Sequence, residues 1–238
     1  MKTAIVTGGN SGIGYATAKL LKEKKYHVTI IGRSQDRIEK AVADLGVNGF
    51  VSDMSDLDKL KELSLKFEEG LDVLVLNAAI AKFAPLALSG LKQFNEIMDT
   101  NVRAPYYLCQ YFEKALAKKH GAITFISSAV VNNGLPNASL YAASKGALDS
   151  LCKSLSVELA EKNIRVNVIS PGAVDTPILK KMGVPEEELS EMKRILSDTI
   201  PLRRYGRPEE IAHCIVSQLE AKYVTGAIWQ VDGGVNAI

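Results

Sequence analysis

The 238-residue sequence is poor in the residues that carry metal, disulfide or nucleic-acid chemistry. It has three cysteines, Cys109, Cys152 and Cys214, an odd number at spacings that fit no metal motif. They read as reduced, buried thiols of a cytoplasmic protein, and no metal is expected. The three histidines, His27, His120 and His213, fall outside every motif. No serine stands in G-x-S-x-G, which argues against a hydrolase of that kind. The formal charge of +2 is too small for a nucleic-acid binder driven by bulk charge. The local run Lys22, Lys24 and Lys25 reads as cations closing a helix, where they favour its dipole. No stretch approaches the ~18 apolar residues of a membrane span. The apolar segment Ala4–Val6 is too short for a signal peptide and runs straight into a glycine turn.

What is present is a large apolar fraction, 47%, in a regular alternation. Strands are expected at Thr3–Thr7, Val28–Ile31, Phe50–Val51, Val73–Leu76, Ile123–Ile126, Val166–Ile169 and Ala227–Val231. Helices are expected at Ile13–Lys24, Asp36–Asp44, Leu57–Phe67, Leu91–Met98, Pro105–Lys118, Ser139–Glu161 and Pro208–Leu219. Strict β–α alternation with apolar strands predicts an α/β fold, a Rossmann-like doubly wound parallel sheet of about seven strands covered by helices on both faces. With no linker, repeat or low-complexity stretch, residues 1–238 read as one domain. One segment breaks the rhythm. Thr176 to about Pro201, with Ile178, Leu179, Met182, Met192, Ile195 and Leu196, is an excursion of the kind that forms binding loops.

The first strand ends in Thr7-Gly8-Gly9-Asn10-Ser11-Gly12-Ile13-Gly14, and a helix begins there. A glycine cluster between a first strand and a first helix is what a dinucleotide fold requires. The glycines let the backbone approach a pyrophosphate, and the helix start offers free N–H groups. At the end of the second strand, Ile31-Gly32-Arg33-Ser34 has no carboxylate to bind the adenine ribose of NAD. Arg33 can pair with a phosphate instead, which favours NADP(H), with NAD(H) possible. Further along, Tyr141 and Lys145 share a helix face in YAASK, and Ser128 stands thirteen residues before the tyrosine. A free phenol titrates near ~10. A nearby cation is expected to lower that value by ~1–3 units, toward the range of general acid–base catalysis.

These residues resemble the short-chain dehydrogenases/reductases, in their single-domain branch. The resemblance rests on Thr7-Gly8-x-x-x-Gly12-x-Gly14, Asp53, Leu76-Asn77-Ala78-Ala79, Asn101, Ser128, Tyr141-x-x-x-Lys145, Pro171-Gly172 with Thr176, and Asp232-Gly233-Gly234, and it covers essentially the whole chain. It implies that Tyr141 is the catalytic acid in reduction and base in oxidation. Lys145 would lower the tyrosine pKa and hydrogen-bond the nicotinamide ribose. Ser128, rather than its neighbour Ser127, would bind the substrate oxygen. Asn101 would hold a water linking Lys145 to solvent. Gly8, Asn10, Ser11, Gly12, Ile13, Gly14, Arg33 and Ser34 would surround the phosphates and ribose. Asp53 and Met54 would contact adenine. Asn77 and Ala79 would lie along the cofactor, with Pro171, Gly172, Val174 and Thr176 near the nicotinamide. The family commonly has Asn-Asn-Ala-Gly where this chain has Leu76 to Ala79, so a stabilising amide is lost at Leu76 and a methyl is added at Ala79.

The first functional reading is thus an oxidoreductase that moves a hydride between a nicotinamide and a carbonyl or alcohol. A non-catalytic dinucleotide-binding regulator or scaffold is the second. The substrate pocket is expected from the Ala81–Pro85 region, the Val130–Asn137 loop and the excursion, whose apolar content suits a small molecule with a hydrophobic portion. Arg203, Arg204 and Arg207 read as solvated, helix-flanking residues. In the family the helices matching Pro105–Lys118 and Ser139–Glu161 pair between subunits, which implies a homodimer or homotetramer.

Overall fold

The structure, a computed structural model, describes residues 1–177 and 186–237, apart from the side chains of 186–190 and 192. Seven strands form one parallel sheet: β1 (Thr3–Thr7), β2 (His27–Gly32), β3 (Asn48–Val51), β4 (Val73–Leu76), β5 (Ala122–Ile126), β6 (Arg165–Pro171) and β7 (Ile228–Val231). Their order is β3-β2-β1-β4-β5-β6-β7. The central strands β4 and β5 read VLVL and AITFI and are buried at every position. Near-continuous apolar strands of this kind suit a sheet covered on both faces.

Strand alternation sends neighbouring residues into two separate cores. Ile5, Leu74, Leu76, Phe125 and Val168 point to one face. There they meet Leu60 of α3 (Leu57–Ser64), Leu108 and Phe112 of α5 (Ala104–Lys119), and Leu148 and Leu155 of α6 (Ser139–Glu158). Val6, Ile30, Val75 and Ile169 point to the other. They meet Leu21 of α1 (Gly12–Glu23), Ile38 of α2 (Gln35–Leu45), and Ile211 and Ile215 of α8 (Pro208–Glu220). Two further helices are α4 (Leu91–Met98), which packs on α6, and α7 (Glu186–Thr199). From β1 the chain winds outward through β2 to β3, then returns to β4 on the other side of β1. The carboxyl ends of β1 and β4 therefore bound the crevice where α/β sheets bind ligands.

All seven expected strands are present: β1 and β4 match the expected bounds, β2, β3, β5 and β6 run longer, and β7 begins one residue later. Three helical readings change. The expected helix Ser139–Glu161 ends at Glu158 and is followed by a 3-10 turn at Ala160–Lys162. The expected helix over Leu57–Phe67 gives way to a 3-10 turn at Leu65–Phe67. The expected pair around Leu91–Met98 and Pro105–Lys118 is joined without a break by a π-helical turn, Asp99–Arg103. Within the excursion, Glu186–Thr199 is helical, while Ile178, Leu179 and Met182, and the side chain of Met192, lie outside the described residues.

Thr7 ties the sheet to the crevice. Its hydroxyl, 1% exposed, accepts from the backbone N–H of Asn77 and of Ala78, each at 2.9 Å, and donates to the Val75 carbonyl at 3.4 Å. One side chain at the end of β1 thereby fixes the turn leaving β4. Replacing it by valine leaves two N–H groups without an acceptor. At ~1–3 kcal/mol for each orphaned group, Thr7→Val is expected to destabilise by about 2–6 kcal/mol. A lower urea midpoint at unchanged m would show it, whereas a change within about 0.5 kcal/mol would deny the hydroxyl this role.

Candidate active site

The turn after β1 has the shape that a phosphate group needs. Gly8 and Gly12 take left-handed φ values of +65° and +53°. A Cβ at Gly14 would lie 2.4 Å from the Gly8 carbonyl oxygen, so the helix starts in contact with the strand end. Gly9 is also required, because a Cβ there would strike Ile30 at 2.4 Å. The motif spacing gave no sign of that demand, which arises from packing across the sheet. Helix α1 begins with an extended Ser11, no side-chain cap and no acidic residue in its first turn. Its positive end and the N–H groups near Ser11, Gly12 and Ile13 are left for an anion. Thr176 closes the other side, its Cγ2 being 3.2 Å from where a Gly12 Cβ would stand. These residues fit the pyrophosphate of a dinucleotide.

The rim beyond β2 holds the other expected contacts. The Asn10 Oδ1 atom lies against Gly32. Arg33 is exposed at the strand tip, and Ser34 precedes α2. Asp53 Oδ1 accepts from the Ser55 N–H at 2.9 Å and the Ser55 hydroxyl at 2.7 Å. Those bonds, and then the Arg33 charge, hold its carboxyl below the usual range. Arg33 and Asp53 thus face one region from two strand ends. The Met54 side chain belongs to the core, which leaves its backbone to face a ligand. Asn77 donates to the Thr7 carbonyl at 3.0 Å and packs against Gly8 and Gly14, so its side chain braces the glycine turn. Ala79 is half-buried beside it, while Leu76 is part of the core. Val174 is buried and bridges to Gly206, and Gly172, just after Pro171, packs on Asp232.

The expected catalytic residues come together at the end of β5 and the start of α6. Ser128 lies just beyond β5, where its Oγ accepts from the Val130 N–H at 3.4 Å. Its hydroxyl also hydrogen-bonds the Tyr141 phenol. Lys145 is 3% exposed. Its ammonium donates to the Ile126 carbonyl at 2.7 Å and stands 5.7 Å from the centre of the Tyr141 ring. Phe83 packs on the opposite flank of Tyr141, with ring centroids 5.8 Å apart. Ala84 donates to the Asn137 carbonyl at 2.9 Å, which joins two of the expected pocket walls. The third is held by an ion pair from Lys193 of α7 to Asp175, at 2.6 Å.

Burial dominates the electrostatics. It pushes the Tyr141 phenol up to about 12, with the Ser128 hydrogen bond pulling the other way. The sequence had suggested a lowered value. The direction differs because the Lys145 ammonium is committed to a backbone carbonyl, while the phenol loses water. The same desolvation pulls Lys145 down to about 8.

Asn101, fully buried on the π-helical turn, spends its amide on protein. Its Oδ1 accepts from the Ile80 N–H at 2.9 Å. Its Nδ2 donates to the Ile80 carbonyl and to the Ser144 hydroxyl, each at 3.0 Å. Ser144 in turn donates to the Tyr141 carbonyl at 2.7 Å. The amide therefore locks the segment after β4 to the turn of α6 that carries the tyrosine, and its amide protons are not free to hold a water. Sequence reading missed Ser144 and Ile80, since serine and isoleucine at these places carry no chemical signature of their own. Ser127 behaves as a strand-end residue, its hydroxyl donating to the Lys145 carbonyl at 3.3 Å. Of the three arginines near α8, Arg204 pairs with Glu210 at 2.7 Å, and the Arg207 N–H also reaches that carboxylate. Among the described residues no group of His, Cys, Asp or Glu could hold a metal ion.

Comparison with known proteins agrees with this geometry. A family described as Enoyl-(Acyl carrier protein) reductase matches residues 8–236. Carbonyl reductase family member 4 of Xenopus laevis is 34% identical over 241 residues, 98% of each chain. The 3-oxoacyl-(acyl-carrier-protein) reductase FabG of Chlamydia muridarum is 35% identical over 246 residues, 98% of this chain and 97% of the relative. Two solved structures superpose closely. An actinorhodin polyketide ketoreductase variant with NADPH has a TM-score of 0.92 at 26% identity, over 100% of this chain and 98% of that one. A 3-ketoacyl-(acyl-carrier-protein) reductase from Brucella melitensis with NADH has 0.90 at 27% identity, over 99% and 98%.

The buried ammonium should be visible in stability. An unfolded chain keeps the Lys145 proton up to the ordinary 10.5, and the folded one up to about 8. Between those values the unfolded state binds more protons, so this group's contribution makes stability rise with pH. Below about 8 the folded protein bears the whole cost of the buried charge. Lys145→Met is expected to raise Tm at pH 7 by roughly 3–8 °C, and the gap should narrow by pH 10. A lower Tm at pH 7, or a gap independent of pH, would contradict the desolvation.

Proposed function

The chain belongs to the short-chain dehydrogenase/reductase family, and on that premise we propose that it reduces a carbonyl, or oxidises the matching alcohol, with NADP(H) and with Tyr141 as the acid and base. That it is an oxidoreductase using a nicotinamide cofactor follows from the family. One observation carries the finer reading. The Tyr141 phenol, the Ser128 hydroxyl and the desolvated Lys145 ammonium gather at the end of β5, in the same parallel sheet whose β1 ends at the anion-ready start of α1. A pure binding protein has no use for a phenol held between a hydroxyl and a buried cation.

When bound, the nicotinamide supplies or accepts the hydride. The chain's own residues do the rest. The hydroxyl of Ser128 holds the substrate oxygen and steadies charge there. Tyr141 gives its proton to that oxygen in reduction and takes it back in oxidation. Lys145 favours the phenolate form, which burial alone opposes. Asn101 fixes the turn of α6 that presents the phenol. Gly8, Gly12 and Gly14 shape the turn that would hold the cofactor phosphates, and Arg33, at a strand tip without a carboxylate, would pair with the 2′-phosphate. Ser34, Asp53 and Met54 would flank the adenosine, and Pro171, Gly172, Val174 and Thr176 would lie on the nicotinamide side.

The substrate is a ketone, aldehyde or acyl carbonyl with an apolar portion, which Phe83 would contact beside Tyr141. Between α5 and α6 runs an apolar groove lined by Val102, Tyr106, Tyr107, Ala147 and Leu151, and it supports pairing of these helices in a homodimer or homotetramer. Free cysteines, two of them buried, go with a reducing compartment such as the cytoplasm.

Two outcomes test the assignment. Tyr141→Phe should lower NADPH-dependent carbonyl turnover by about 10²–10⁴-fold while cofactor affinity stays near that of the unaltered protein. Near-normal turnover would remove the proton-donor role. The unaltered protein should bind NADPH more tightly than NADH, and Arg33→Asp should weaken NADPH roughly ten- to hundredfold. Equal affinities in the unaltered protein, read by fluorescence titration, would end the NADP(H) assignment.

A further inference from the structure

Helix α6 carries a second ionisable group that the reaction above does not use. Asp149 lies one turn beyond Lys145, on the face that packs toward the sheet. Its Oδ1 atom is buried and has no hydrogen-bond partner among the described residues. An unpaired, buried carboxylate oxygen is costly, so a role that retains it is worth seeking. The surroundings are few. Just past β5 stands the Ser127 hydroxyl, 3% exposed, near the carboxylate while it donates to the Lys145 carbonyl. On α6 itself stand Lys145, Cys152 and Lys153. Lys153 is exposed and its charge is screened by water, whereas Lys145 is buried.

Lys145 needs help that its hydrogen bond does not give. An ammonium has three donors, and the Ile126 carbonyl receives one of them. A neutral carbonyl also cannot balance a buried positive charge. We propose that Asp149 is a positioning residue that acts through Lys145: its half-buried carboxylate, one helical turn behind the lysine, keeps the ammonium beside Tyr141 charged. The inference rests on the reading of Tyr141 and Lys145 as the reactive pair.

The electrostatics run the same way. Burial lowers the Lys145 pKa, and the Asp149 charge is the influence that raises it. Burial raises the Asp149 pKa, while Ser127, Lys153 and Lys145 lower it. Removing the carboxylate would make the lysine lose its proton at lower pH. Carbonyl reduction needs both the charged lysine and the protonated tyrosine, so its alkaline limb would move down. The other groups nearby do not mimic this effect, because burial pushes both the Cys152 thiol and the Tyr141 phenol up to about 12.

The experiment is the pH profile of kcat and KM for carbonyl reduction by the full chain with NADPH, in the unaltered protein, Asp149→Asn and Asp149→Glu. In Asp149→Asn the alkaline limb of kcat should shift down by about one unit, so that kcat at pH 9 falls roughly tenfold while KM changes little. Asp149→Glu, which keeps the charge, should restore most of that loss. Asp149→Ser serves the same purpose if the asparagine variant does not fold. An alkaline limb that stays in place in a folded, charge-free variant overturns the proposal, as does a loss spread equally over all pH values. Tyr141→Phe separates the two levels. Undiminished turnover there removes the underlying reading, whereas an inactive Tyr141→Phe with an unmoved Asp149→Asn profile removes only the role of Asp149.

Discussion

A buried ammonium resting on one backbone carbonyl is the contact on which the rest of the site depends. Lys145 reaches Ile126 at 2.7 Å because β5 ends there and α6 crosses directly behind it. That crossing exists because Phe125 and Val168 on the sheet, and Leu148, Cys152 and Leu155 on the helix, share one core. The hydrophobic packing that places the helix also strips water from the lysine and from the tyrosine one turn earlier. Chemistry and stability therefore pull in opposite directions at this spot. The fold carries a charge it would be more stable without, and gains a cation at the edge of titration beside a phenol.

Around that contact the structure repeats one device: a small polar side chain on one segment that takes the backbone groups of another. Thr7 gathers the N–H groups of Asn77 and Ala78, Asn77 braces the glycine turn, and Asn101 grips both polar atoms of Ile80. Each of them grips backbone at or just past a strand end, where regular hydrogen bonding stops. Unpaired peptide groups there would otherwise need water, and water is what the crevice must exclude. Rigid strand ends fix the reactive groups more firmly than free loops could.

Much of this was legible in the sequence, for physical reasons. Parallel strands are buried on both faces, so runs such as VLVL announce themselves, and the glycine turn is marked by its place between β1 and α1. Tyr141, Lys145 and Ser128 were readable because their spacing survives folding along one helix and the strand before it. The fused α4–α5 stretch was not readable. A π-helical turn leaves no composition signal, and its purpose, carrying Asn101 inward, appears only when Ile80 and Ser144 are seen against it. The direction of the Tyr141 shift was also hidden. Spacing along a helix shows that two side chains share a face, but not how much water the neighbouring strands remove.

Direct titration of the Lys145 side chain tests the central claim, that its charge is desolvated and held near its titration point. The ammonium of selectively labelled lysine can be followed by NMR in the free protein, with Lys145→Met assigning the signal. The account predicts a midpoint near the value of about 8. A midpoint at the ordinary 10.5 would mean a solvated lysine, and neither the stability cost nor the tuned pair described above would stand.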